Sequence, residues 1–130
     1  MQTNTEAPSF VPFETSGLTL ADDAQDVRGR TVIDGNGLEI GKVKSLLIDE
    51  QERHVRFLEL ETGGLLGFGA QTRLIPVDAV TDVMNEWVRV ESTHEQIQGA
   101  PIYDPELTDA ARYFDDLCGH YGYPPYWYPR

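Results

Sequence analysis

The chain has one cysteine, three histidines and two methionines in 130 residues, and no apolar run approaches the ~18 residues that span a bilayer. The lone Cys118 excludes an intramolecular disulfide and any CxxC metal framework, a pattern suited to a reducing cytosol. The opening Met1-Gln-Thr-Asn-Thr-Glu carries neither the basic nor the apolar stretch of a secretory signal. The expectation is a cytoplasmic protein with no integral membrane segment. Basic residues are scarce as well: ten Lys and Arg stand against 22 Asp and Glu, giving a formal charge of −12 and a pI near 4.4. Neutralising phosphates requires a basic surplus, so no direct nucleic-acid binding is expected. The deficit is uneven. Between Val27 and Ser92 eight basic residues face eleven acidic ones, a balance of −3, and the flanks carry the other −9. Mixed charge in the middle of the chain suits solvated strand faces.

Catalytic patterns are missing too. His54 sits in a charged turn, His94 opens the segment after the last strand-like run, and His120 lies near the C-terminus, so no acid-base pair emerges from the spacing. Cys118-Gly-His120, with Asp115 or Asp116 nearby, comes nearest to a metal set but falls short of the four ligands of a closed zinc site. Cys118 fits the apolar face of a helix better, as a small hydrophobe. Glu59 and Glu61 share a strand face, as like-charged pairs on exposed edge strands often do. There is no GxSxG and no dinucleotide fingerprint. Gly63-Gly-Leu-Leu-Gly-Phe-Gly lacks the Lys-Ser/Thr of a phosphate loop and opens no helix, so it reads as a structural corner or an interface loop. No enzymatic activity, cofactor or metal is expected.

The residues that are present describe strands. A run over Val27 to Asp34 meets Asp34-Gly-Asn-Gly, whose residues tolerate the positive φ of a tight hairpin turn. Leu38, Ile40, Leu46 and Ile48 then share strand parity, with Lys42 and Lys44 interrupting it and a bulge or twist expected near Gly41. After the charged turn Glu50-Gln-Glu-Arg, the run Val55, Phe57, Leu58, Leu60 predicts a strand with one buried face and a partly covered second. Arg73-Leu-Ile-Pro gives a strand ended by Pro76, and Trp87-Val-Arg-Val-Glu alternates as a final strand. Beyond Thr93 the period changes. Asp104-Pro105 is a helix start, and Leu107, Ala110, Ala111, Phe114, Leu117 and Cys118 recur at helical spacing, with Gly119 or Gly122 as the stop.

Asp26-Val-Arg-Gly-Arg-Thr-Val, Gly37-Leu-Glu-Ile-Gly-Lys-Val-Lys-Ser-Leu-Leu-Ile-Asp, Leu74-Ile-Pro-Val-Asp-Ala-Val and Ala100-Pro-Ile-Tyr occur in that order. Together they resemble the PRC-barrel family, over about residues 18 to 105. The resemblance implies a mainly β fold, a small PRC-type antiparallel β-barrel, here with a C-terminal α-helix and an aromatic tail. With the flanks read from composition and period, three parts are expected: a flexible N-terminal arm (1–17) with isolated Phe10 and Phe13, able to dock locally, the barrel (18–105), and the helix with its Tyr/Pro-rich tail (106–130). The resemblance also implies a non-enzymatic protein-interaction module, an adaptor or scaffold, and supplies no catalytic residue. Two alternatives follow from relatives in the family: an accessory in RNA processing or ribosome assembly, like the C-terminal domain of a ribosome-maturation factor, and a photosynthetic electron-transfer accessory, like the reaction-centre H subunit.

The tail is the feature least explained by folding alone. Tyr121, Tyr123, Tyr126, Trp127 and Tyr128 are interleaved with Pro124, Pro125 and Pro129, which cannot continue a helix. Aromatic rings supply large contact area at low entropy cost, and proline limits the freedom lost on docking. Docking on the chain's own barrel, on a second subunit or on another partner all fit this composition. The expected partner-binding residues are therefore Leu65, Leu66 and Phe68 of the glycine loop together with Tyr123, Tyr126, Trp127 and Tyr128 of the tail. The expected assembly is a homodimer or higher oligomer.

Overall fold

A computed structural model describes residues 9–18, 26–62, 71–104 and 110–127. Among them, β1 (Phe10–Pro12), α1 (Phe13–Ser16), β2 (Thr31–Ile33), β3 (Glu39–Asp49), β4 (His54–Thr62) and β5 (Gln71–Pro76) lead through a short 3-10 turn (Val77–Ala79) to β6 (Val80–Val83) and β7 (Trp87–Val90), then α2 (His94–Gln98) and α3 (Ala110–Tyr121). The strands make one seven-stranded sheet of order β5-β4-β3-β2-β7-β6, with β1 added on β3 beside this path. Every pairing is antiparallel except β2 with β7. The fold is β-rich, as expected. Among the described residues the strands do not close on themselves by hydrogen bonds, because the sheet ends on β5 and β6.

What stands at the β5 edge is not a strand. The Tyr103 N–H donates to the Thr72 carbonyl at 2.9 Å, and Arg73 Nη1 donates to the Ala100 carbonyl at 2.6 Å. The Tyr113 hydroxyl then ties α3 to the same segment through the Pro101 carbonyl at 2.9 Å. Ile97 and Leu117 are fully buried here, so side chains complete the core where a ladder is absent.

Both faces of the central strands are covered, which explains their runs of consecutive apolar residues. The ladders set Leu46, Leu58 and Ile75 directly across from one another on one face, and Leu47, Phe57 and Pro76 on the other. All of these are buried. The second face is roofed by the chain's two ends: Phe57 packs against Phe10 of β1 at 5.2 Å and against Phe114 of α3 at 5.3 Å between ring centroids. Burying one such phenylalanine contributes about 2–3 kcal/mol. Residues 10–16 are thus built into the fold as β1 and α1.

The strand expected over Val27 to Asp34 is shorter than its sequence suggests: β2 starts at Thr31. Gly29 takes φ 86°, and the Arg30 N–H bonds the Val27 carbonyl, so Val27 to Arg30 turn instead of extending. The hairpin turn reads as predicted, with Asp34 Oδ1 accepting from the Asn36 and Leu38 N–H groups at 2.9 Å each. The irregularity expected near Gly41 is present: Val32 faces Gly41 while Ile33 faces Glu39, leaving Ile40 as the extra residue of a bulge. Four elements go beyond the sequence reading: β1 and α1, which lie in the stretch expected to be a flexible arm, and β6 and α2. The helix α3 stops at Gly122, where φ is 81° and a Schellman pair forms, with the Tyr123 N–H on the Cys118 carbonyl and the Gly122 N–H on the Gly119 carbonyl. Pro105 and Leu107, expected to start that helix and its apolar stripe, lie outside the described residues.

Candidate interaction site

The glycine loop residues Leu65, Leu66 and Phe68 and the tail residue Tyr128 lie outside the described residues. Tyr123, Tyr126 and Trp127 are described, and the structure brings all three onto the chain's own sheet. The Schellman turn at Gly122 redirects the chain out of α3, and the Tyr123 hydroxyl donates to Glu91 Oε1 at 2.6 Å just beyond β7. After Pro124 and Pro125, the Tyr126 hydroxyl donates to Asp49 Oδ2 at the end of β3. Its ring lies under the Arg56 guanidinium, 3.9 Å from Cζ to centroid, and that guanidinium also donates to Glu52 Oε1. Trp127 stands edge-on to Tyr126 at 5.0 Å and to Phe10 at 6.1 Å.

Asp49 is the centre of this seat. It is only 1% exposed, and its Oδ1 accepts from the N–H groups of Gln51 and Glu52 at 2.8 and 3.1 Å. One carboxylate therefore shapes the β3–β4 turn and receives the tail. Burial, then the hydrogen bond to Asp49 and that group's charge, raise the Tyr126 phenol well above its ordinary value. Tyr123 is pushed up to about 12, first by burial and then by Glu91. Both phenols keep their protons near neutrality and act as donors to carboxylates.

Sequence reasoning found the tail but missed its receptors: Phe10, Asp49, Glu52, Arg56 and Glu91. Asp49 preceding a charged turn carries an Asx-turn signal that marks its first role. The second role joins residues 77 positions apart and has no local signature.

A polar patch lies on the same outer face. Ser45 sits across from Glu59 in the ladder, and its hydroxyl donates to Glu14 Oε1 at 2.7 Å; Glu14 is in turn paired with Arg28 at 2.8 Å. Of the two strand carboxylates Glu59 and Glu61, the first is buried and the second exposed. Burial raises the Glu59 carboxyl above its ordinary value; Lys44, 3.9 Å away, opposes the rise and Glu14 adds to it. A raised carboxyl is protonated in both folded and unfolded chains at low pH, and folding stability is lost as pH climbs through the folded value. Replacing Glu59 with glutamine should therefore raise the melting temperature at neutral pH, and the gain should vanish near pH 4. Melting curves at both pH values decide it, and an equal gain at each would show that charge is not the cause.

The remaining chemistry-bearing groups are separate. His54 is exposed, and His120 Nε2 donates to the Gln96 carbonyl, fastening α3 to α2. Cys118 is buried, and its thiol is pushed up to about 11 by burial and by the charges of Asp115 and Asp78, far from the thiolate that a nucleophile or metal ligand needs. Among the described residues no three His, Cys, Asp or Glu side chains converge as a metal set, and no helix is long and apolar enough to cross a membrane. Arg73, 9% exposed, gives its Nη groups to Ala100 and Gln71 and serves the closure at β5.

A model of the PRC-barrel domain matches residues 21–97, the stretch that contains β2 through β7. The match covers more than half of the chain and contains the hairpin, the bulge at Ile40-Gly41 and the Leu74-Ile-Pro strand end already described, so this chain belongs to the PRC-barrel domain family.

Proposed function

We propose that the chain is a non-enzymatic interaction module, an adaptor or scaffold of the cytoplasm that self-associates as a homodimer or higher oligomer. The observation that carries this reading is the seat made by Phe10, Asp49 and Arg56. It addresses a phenol ring, its hydroxyl and a neighbouring indole on a proline-bound segment, which is the chemistry of peptide recognition. The open edge supports it. Among the described residues β6 has a strand on one side only, and Val83 and Met84 at its end are 46% and 48% exposed. Leu65, Leu66 and Phe68 of the glycine loop, with Tyr123, Tyr126, Trp127 and Tyr128, are the proposed anchors.

Light scattering tests this directly. The wild-type chain should exceed its 14.6 kDa monomer mass as concentration rises, and Tyr126→Ala with Trp127→Ala should lower the mass toward the monomer. A wild type that stays monomeric at every concentration removes self-association. An unchanged oligomer together with unchanged partner capture removes the tail from the contact surface.

A further inference from the structure

The geometry points to an exchangeable tail: the seat that holds Tyr126 and Trp127 in cis also accepts the same segment from a second copy of this chain. The inference rests on the interaction-module reading and names its partner. The receptor groups for Tyr126 and Trp127 come from β1, β3, the β3–β4 turn and β4, and the one for Tyr123, Glu91, follows β7, so the site is formed by the sheet and exists whether or not its own tail is present. Among the described residues, the tail is seated through side-chain contacts that include the hydroxyls of Tyr123 and Tyr126, the Tyr126 ring and the Trp127 ring. Nothing in such contacts distinguishes a tail in cis from one in trans.

The path of the tail favours exchange. Gly122 is a left-handed residue, so rotation there meets no side-chain penalty, and Pro124-Pro125 keep the released segment extended at roughly 3.1 Å per residue. A released tail thus projects toward a neighbour without collapsing onto its own sheet. Proline also limits the entropy lost when it docks again. In the wild type the cis tail competes at an effective concentration on the order of millimolar, which holds the chain closed when dilute and lets copies exchange when crowded.

Two full-length variants separate the halves. Arg56→Glu sets a negative charge near Asp49 and over the Tyr126 ring, spoiling the seat at a position whose side chain is 26% exposed. Tyr126→Ala with Trp127→Ala spoils the tail. Each alone should run as a monomer at several hundred micromolar, while an equimolar mixture should show a species of doubled mass, one variant supplying the tail and the other the seat. As a check independent of assembly, a synthetic peptide of residues 121–130 should bind the tail variant at least tenfold more tightly than the wild type, whose seat is filled. A mixture that remains two monomers, or a peptide that binds neither protein, overturns the exchange. The wild-type mass judges the interaction-module reading separately, because self-association through the glycine loop or the β6 edge would survive that result.

Discussion

Replacing Gly41 with alanine is expected to lower the unfolding free energy by about 3 kcal/mol, measured by urea denaturation. Gly41 lies inside β3 with a strand on each side, facing Val32 of β2 and Thr62 of β4. A Cβ there would fall on the Glu61 carbonyl oxygen, well inside van der Waals contact, and would also sit 3.2 Å from the carbon of that carbonyl. The obstacle is backbone, so no rotamer change relieves it. Either β3 and β4 separate and give up ladder hydrogen bonds, or the bulge at Ile40 unwinds and its neighbours change face. The control is Gly35→Ala in the exposed hairpin turn, where a Cβ meets nothing within 4 Å, and the change should stay within about 0.5 kcal/mol. Equal effects at the two glycines would mean that chain entropy, not close approach, sets the cost.

That glycine also shows what could be read from the sequence. A glycine inside a strand pattern signals a bulge or a close backbone approach, and both occur at Ile40-Gly41. The Asp34 hairpin and the helical stripe through Phe114, Leu117 and Cys118 were legible for the same reason: each is encoded within a few residues by turn chemistry or by period. The helix α2 carries a local signal too, Thr93 with Gln96 three residues later, and the Thr93 hydroxyl does accept from the Gln96 N–H at 3.1 Å. Five residues are too few for periodicity to show, so the cap stands without a pattern behind it.

The docking of the two chain ends was not legible. Phe10 and Phe13 read as isolated aromatics in a polar arm because their partners, Phe57, Phe114 and the Arg28 guanidinium, are distant in sequence or become neighbours only when β1 joins β3. The tail was recognisable as something that must be buried, but composition leaves docking in cis and in trans both open. What selects cis in the monomer is the position of one buried carboxylate, Asp49, relative to the end of α3, and that position is a property of the assembled sheet.

A double-mutant cycle on Asp49 and Tyr126 measures how far fold and tail are coupled. Tyr126→Phe removes the hydroxyl and leaves a buried carboxylate oxygen without its donor, which should cost about 2 kcal/mol. Asp49→Ala removes the acceptor for the tail and the two bonds that shape the turn at Gln51 and Glu52, for about 3 kcal/mol. Once the carboxylate is gone, the hydroxyl has nothing to satisfy, so the double variant should be more stable than the sum of the single losses predicts by about 1–2 kcal/mol. Asp49→Asn separates the two roles, since an amide oxygen still accepts from the turn while the negative charge facing the phenol is lost; it should resemble Tyr126→Phe more than Asp49→Ala. In a Trp87→Phe background, where Trp127 is the only tryptophan left, each variant that breaks the pair should also shift emission to longer wavelength as the indole leaves Phe10 for water. Strict additivity in the cycle, with Trp127 emission unmoved, would mean that the tail is held by its ring contacts alone and that Asp49 serves only the turn.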